Sequence, residues 1–440
     1  MVKYGILGGG WAGILSAIEI KKHSSSAQIE ILEKNEQGHL GGLLRSQTIE
    51  GFTYDTGGPH ILFSKDKETL NAILKIMGEN WKQMERKNFI HFENMIIPYP
   101  FENGIFMLPP EERAEIGMEI IENLFHLKNN SEWMPETFYD WIYGIFGKNM
   151  GSRYLEPYNN KIWKRNLKEF DASWVFTPGR LPLPELRDIV FSVSGIPTVG
   201  YKEQANFYYP KVGGIQSLYE SLLEKAKQLG IKILAGCEVK RVQRDKEGGW
   251  IINGEYRYDR ILSTLPLPEL INITDAKNEI KAAAKKLDYN RVIVIGFALN
   301  QPAPDRITLY VPRTDIIFHR YTWMSNLVSQ SPEGKSNLIV EITVPQNEKI
   351  EVPKFLENSI EGLMKLGVIE DRTAIIHSKV WVHEYGYPVY TMGHNKIREA
   401  IFEYLMSEKI VSVGRWGSWH YWNTDKVYEA VMKYSSLILG

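Results

Sequence analysis

A single cysteine, Cys237, among 440 residues leaves no intramolecular disulfide to close, and no group of Cys and His has metal-ligand spacing. A reducing compartment without a metal site is expected. Charge of one sign is also missing: 52 Lys+Arg against 53 Asp+Glu give a net charge of -1, which excludes the broad basic field of a nucleic-acid binder. Any anion site must be local. No stretch reaches the ~18 consecutive apolar residues of a membrane-spanning helix. The longest apolar run, Val292 to Leu299, is strand-like and has Gly296 inside it. Met1-Val2-Lys3 leads straight into a strand pattern with no basic n-region or cleavage site, so a cytoplasmic protein with no integral span is expected. There is no internal repeat, low-complexity tract or long linker, and at ~100–200 residues per domain the length implies two or three domains. Aromatic residues, in contrast, are plentiful at 12%, with 12 Trp and 23 Tyr, which calls for large flat surfaces with polar edges.

The first fifty residues carry a specific pattern. Lys3 to Leu7 is a short apolar run, followed by Gly8-Gly9-Gly10-Trp11-Ala12-Gly13 and then by Ile14-Leu15-Ser16-Ala17-Ile18, which has helical periodicity. Gln28 to Leu32 alternates like a strand and ends on Glu33, twenty residues beyond Gly13. Each part answers a physical need in dinucleotide binding. Gly8 permits the tight turn, Gly10 lets the backbone approach a pyrophosphate, and Gly13 lets helix pack closely on strand. The helix N-terminus offers free N–H groups to the phosphates, and Glu33 is placed for a ribose hydroxyl. An acid there disfavours a 2′-phosphate, which leaves FAD or NAD rather than NADP.

Downstream come Lys34, then Gly41-Gly42-Leu43-Leu44-Arg45-Ser46 and Gly51-Phe52-Thr53-Tyr54-Asp55-Thr56-Gly57-Gly58-Pro59-His60. With the glycine loop, this resembles the FAD-binding start of the amine oxidase and protoporphyrinogen oxidase superfamily, near its UDP-galactopyranose mutase-like branch. The resemblance implies FAD as cofactor, with Gly41-Gly42 along the pyrophosphate and Pro59-His60 beside the isoalloxazine. It also implies an α/β fold: a Rossmann-like FAD-binding domain of glutathione-reductase type assembled from three segments, 1–65, 205–269 and 376–440. A helical insertion, 66–204, and a substrate-binding sheet, 270–375, complete it. Helical spacing over Lys67 to Met77 and Pro110 to His126, and strand patterns at Arg291 to Ala298, Asp315 to Tyr321 and Asn337 to Val344, fit that division.

Further family positions follow. Tyr209-Pro210 with Gly213-Gly214 opens a helix, Val239 sits where a strand's backbone meets the adenine, and Ser263-Thr264-Leu265-Pro266 ends a strand near the cofactor. Gly414-Arg415 closes a strand before an aromatic loop, and Asn423, Thr424 and Val427 begin a helix whose N–H groups face the electron-rich edge of a reduced flavin. Read alone, Val239 and Thr264 are ordinary strand residues.

The resemblance also implies a substrate pocket. Tyr158, Lys161 and Trp163, then Arg180 and a Gly195-Ile196-Pro197 segment, are similar to the mutase pattern that holds a uridine and a phosphate. Arg320, in Phe318-His319-Arg320-Tyr321, either reaches a diphosphate as a bidentate donor or makes a surface salt bridge. Tyr390, in a Tyr387-Pro388-Val389-Tyr390 loop, either contacts substrate or packs. Trp419 and Tyr421 stand where the mutases carry sugar-diphosphate tyrosines. His60 suits proton transfer near neutral pH. His60, Arg180 and Arg320 are thus the expected catalytic residues.

The expected activity is a FAD flavoenzyme acting on a nucleotide- or diphosphate-linked sugar, with reduced flavin N5 as nucleophile and NAD(P)H as one source of reduction. The alternative is an oxidoreductase that moves hydride from a small molecule to flavin; a third class is a non-catalytic flavin-bound scaffold.

Overall fold

The computed structural model describes residues 1–130, 132–177, 185–198, 205–328 and 331–439. Arg180 lies outside the described residues.

Two sheets organise the chain. The first has five strands in the order Val411–Ser412, Arg260–Ser263, Lys3–Leu7, Gln28–Glu33, Lys232–Ala235, all parallel. Parallel strands need helical cover on both faces, and the first helix, Trp11–His23, answers that need: Trp11 through Ile20 are all buried. It packs against the helices Gln216–Gln228 and Thr424–Leu439. This sheet draws strands from each of the segments 1–65, 205–269 and 376–440.

The second sheet has seven strands in the order Ile375–Val389, Asp288–Leu299, Ser336–Pro345, Arg320–Trp323, Thr308–Tyr310, Asn88–Phe92, Met95–Pro98. Its central strands read as continuous β-branched and aromatic runs because both faces are covered; Ser336 to Val344 are all buried. Two boundaries of the expected division do not coincide with sheet boundaries. Ile375–Val389 falls in the segment 376–440 yet pairs along its length with Asp288–Leu299. Asn88–Phe92 and Met95–Pro98 fall in the helical insertion yet extend this sheet through a parallel pairing with Thr308–Tyr310. The rest of 66–198 is helical where described, with Lys67–Ile76, Pro110–Asn129 and Phe138–Met150 as its longer helices.

Two local expectations are corrected. The strand expected from Asp315 begins at Arg320, because Arg313 and Asp315 close a turn through an ion pair at 2.8 Å. Val239 lies outside a strand, on the irregular stretch between Lys232–Ala235 and the hairpin strand Val242–Arg244.

Candidate functional site

All five parallel strands deliver residues from their carboxyl ends into one cavity of about 960 Å³: Gly8 after Leu7, Glu33, Cys237, Thr264 after Ser263, and Gly414. The crevice at the carboxyl ends of an open parallel sheet is where such folds bind ligands. Gly8 takes φ +98, which a side chain would strain, and a Cβ on Gly13 would collide with the Gly8 carbonyl oxygen. Gly13 therefore supports the turn from behind and does not line the cavity. Gly10 has open space where a Cβ would stand, and Gly42 approaches it, a Cβ there lying 3.8 Å from the Gly10 Cα. Trp11, Ala12, Gly41 and Leu43 complete this stretch of wall.

The chemistry of the lining fits a dinucleotide. The helix Trp11–His23 starts without any side-chain cap, so its first-turn N–H groups are left for a ligand. Its start is joined to that of Thr424–Leu439 by a hydrogen bond from Trp11 Nε1 to the Thr424 carbonyl at 3.4 Å. Asn423, Thr424 and Val427 line the same cavity. Two helix N-termini thus face one space, the arrangement that favours negative charge. Glu33 is pinned by Gly9 N–H at 2.8 Å on one oxygen and by Asn35 N–H and Nδ2–H at 2.9 and 2.8 Å on the other. Lys34 and Val239 flank it on the wall.

Beneath the Gly57-Gly58-Pro59-His60 turn, Asp55 is fully buried and accepts from Tyr209 Oη at 2.6 Å, Ser46 Oγ at 2.7 Å and Ile215 N at 3.2 Å. Burial pushes its carboxyl up to about 6 against those hydrogen bonds. His60 donates from Nδ1 to the Gly58 carbonyl at 2.8 Å, which leaves Nε2 as an acceptor. Burial first, then the Arg415 and Arg320 charges, lower its pKa to about 4, so the ring is neutral at physiological pH.

His60, Leu43, Arg415, Asn423 and Thr424 also border a second cavity of about 200 Å³. Pro59, Arg320 and Tyr421 line it, together with residues the sequence reading did not single out: Arg86, Tyr99 and Tyr310. Nothing in Met84-Glu85-Arg86-Lys87 marks a site residue; pairing of Lys82–Glu85 with Asn206–Tyr209 brings it here. Arg415 donates to the Gly386 carbonyl at 2.7 Å and lies over the Tyr421 ring at 4.3 Å. Burial lowers its pKa.

Several expected substrate residues are placed differently. Arg320 is held fork to fork by the buried Glu341, Nε to Oε1 at 2.6 Å and Nη2 to Oε2 at 2.7 Å. Burial alone would weaken its charge, and the Glu341 carboxylate outweighs that and raises its pKa. Its charge is thereby matched within the protein. The pair underpins the His60 turn, since a Cβ on Gly58 would lie 2.8 Å from Glu341 Oε2. Trp163 is 1% exposed and packs edge to face on Trp174 and Tyr421. Trp419 is fully buried against Trp416, Tyr385 and Tyr289. Tyr390 is 1% exposed, accepts from Tyr421 N at 3.0 Å and meets His420 Nδ1 at 3.1 Å. None of these three reaches either cavity wall, and Tyr158 stands behind Tyr310, edge to face at 5.7 Å. Their flat faces fill core rather than pocket.

A family model described as flavin containing amine oxidoreductase matches residues 11–400. Among solved structures, a reduced UDP-galactopyranose mutase superposes with a TM-score of 0.87 at 24% identity, covering 100% of this chain and 94% of that one. A protoporphyrinogen oxidase-like protein from Exiguobacterium sp. 255-15 superposes at 0.75 with 16% identity, covering 99% and 98%. In sequence, 4,4'-diaponeurosporene oxygenase of Staphylococcus aureus strain USA300 is 21% identical over 443 aligned positions, 86% of this chain and 84% of that protein.

Proposed function

The chain belongs to the flavin containing amine oxidoreductase family and is a FAD-dependent flavoenzyme, and from that premise we propose that it acts on a diphosphate-linked sugar in the manner of a mutase. One observation carries this reading: the small cavity presents three guanidinium groups, Arg86, Arg415 and the Glu341-paired Arg320, and four phenols, Tyr99, Tyr310, Tyr387 and Tyr421, with no carboxylate among the described residues on its wall. A cationic, hydroxyl-rich wall suits phosphate oxygens and sugar hydroxyls. Nucleotide-sugar specificity, the roles of individual residues and the assignment of domains belong to this proposal.

When bound and reduced, FAD supplies the nucleophilic centre. The protein's part is positional and electrostatic. Gly10, Gly42 and the start of Trp11–His23 seat the dinucleotide. Asn423, Thr424 and the helix start behind them, with Arg415, favour negative charge at the junction of the two cavities. His60 Nε2, neutral and an acceptor, borders both cavities and suits a hydrogen bond from a sugar hydroxyl, while a pKa of about 4 makes it a weak base near neutral pH.

The oxidoreductase alternative draws on the family's description and on the oxygenase relative. A long polyene needs an apolar tunnel, and the polar lining of the small cavity opposes that substrate. Titration of the purified holoenzyme with UDP, UDP-hexoses and a long-chain polyene, followed by flavin absorbance, tests the choice. The UDP compounds are expected to perturb the spectrum and the polyene to leave it unchanged; the reverse pattern contradicts the proposal.

A further inference from the structure

Of the three guanidinium groups in the small cavity, Arg86 is the one whose side chain has no hydrogen-bond partner among the described residues. Arg320 is neutralised by Glu341, and Arg415 is anchored by the Gly386 carbonyl and the Tyr421 face. Arg86 has no hydrogen-bonded anchor for its guanidinium among the described residues. Its side chain has no carboxylate or carbonyl partner among the described residues, its Nε is buried without a hydrogen bond, and its guanidinium rests only on the Phe63 ring at 5.7 Å. Its backbone, by contrast, is fixed, because Arg86 N donates to the Ala205 carbonyl at 2.8 Å beside the paired strands Lys82–Glu85 and Asn206–Tyr209.

A guanidinium held on a rigid ribbon, partly desolvated and uncompensated, is costly unless a ligand supplies the counter-charge. The planar fork selects the form of that counter-charge, since two parallel N–H groups match two oxygens of one phosphate. Position fits as well. His60, Arg415, Asn423 and Thr424 border both cavities, whereas Arg86, Tyr99 and Tyr310 border only the small one, so Arg86 lies away from the cofactor side. We propose that Arg86 is the binding residue for the substrate's phosphate or diphosphate group, with the Tyr99 and Tyr310 rings forming the adjoining wall. The assignment rests on the reading of the cavity as a sugar-diphosphate site and names the residue that makes it one.

The test uses FAD-loaded enzyme and inorganic pyrophosphate as probe, with UDP as a second, read by flavin absorbance and by the shift in melting temperature. Wild type, Arg86→Met and Arg86→Lys are compared, with flavin content and far-UV circular dichroism confirming that each variant is folded. Pyrophosphate affinity is expected to fall at least tenfold in Arg86→Met and by a smaller factor in Arg86→Lys, which keeps the charge but loses the fork. If wild type binds both probes and both variants bind them equally well, the assignment to Arg86 is overturned while the sugar-diphosphate reading stands. If wild type binds neither probe at millimolar concentration, both are overturned together.

Discussion

At the scale of single residues, the site depends on groups whose charge is set by burial. His60 is held neutral, with its pKa lowered from 6.5 to about 4. A lowered folded-state pKa means that protonation is resisted in the native protein but not in the unfolded chain. The stability that follows is complete above about pH 6.5 and is lost as pH falls toward 4. Melting temperature measured from pH 4 to 7 should fall less steeply for His60→Gln than for wild type, with part of the slope retained because His91 and His394 are lowered in the same sense. Equal slopes would remove His60 from the account. Tyr390 gives a second expectation. Its hydroxyl accepts from Tyr421 N and, facing a His420 whose pKa burial lowers to about 2, donates to Nδ1. Tyr390→Phe removes the hydroxyl that Tyr421 N, Thr177 Oγ1 and His420 Nδ1 share, so a loss of ~1–3 kcal/mol in denaturant unfolding is expected, with kcat reduced and FAD retained. For Trp163, Tyr390 and Trp419 it was the resemblance that implied substrate contact; the residues alone read Trp163 more readily as a helix contact and Tyr390 equally as packing. A tryptophan beside basic residues reads alike whether its face meets a ligand or another ring, and only the neighbours that folding supplies decide between them.

At the scale of elements, the N-terminal unit was legible because its constraints are local. The spacing of Gly8, Gly10, Gly13 and Glu33 encodes a strand, a turn, a helix and a second strand, and the structure has Lys3–Leu7, Trp11–His23 and Gln28–Glu33 in that order. Gly13→Ala brings a Cβ against the Gly8 carbonyl at the closest approach of helix and strand. That variant is expected to lose FAD during purification, measured as the flavin-to-protein absorbance ratio, whereas Gly38→Ala, with open space around it, should keep a full complement. Equal flavin content in the two would show that this packing does not govern the cofactor site. Long-range elements were less legible. Ile375–Val389 alternates between half-buried and exposed positions over its first eleven residues and is buried only at its end, a pattern that does not say which sheet it joins. Pairing with Asp288–Leu299 settles that, and it carries His383 to the large cavity and Tyr387 to the small one. Arg86 was invisible for the same reason, since its position depends on a strand partner more than a hundred residues away.

At the scale of the whole molecule, two sheets meet along the large cavity, and the small cavity opens where Ile375–Val389, the His60 turn and the Arg415 loop come together. Near-neutral net charge and a locally cationic cavity are compatible because the positive groups there are few, with Arg320 matched by Glu341 and only Arg86 and Arg415 left beside it. Among the described residues no helix is long and apolar enough to cross a membrane. Part of the aromatic surplus interlocks inside the helical insertion, where Phe138, Trp163, Phe170 and Trp174 pack on one another, and Trp163 also meets Tyr387 and Tyr421. The fold and the cofactor follow from the glycine loop and the family it signals; the proposed substrate class rests on the small cavity. The most direct measurement is turnover of a UDP-hexose by the holoenzyme in two states, dithionite-reduced without oxygen and oxidised in air, with product mass and oxygen uptake recorded together. The account predicts that the reduced enzyme forms an isomer of unchanged mass and that the oxidised enzyme forms none and takes up no oxygen. Product two mass units lighter, formed by the oxidised enzyme with stoichiometric oxygen uptake, would contradict it.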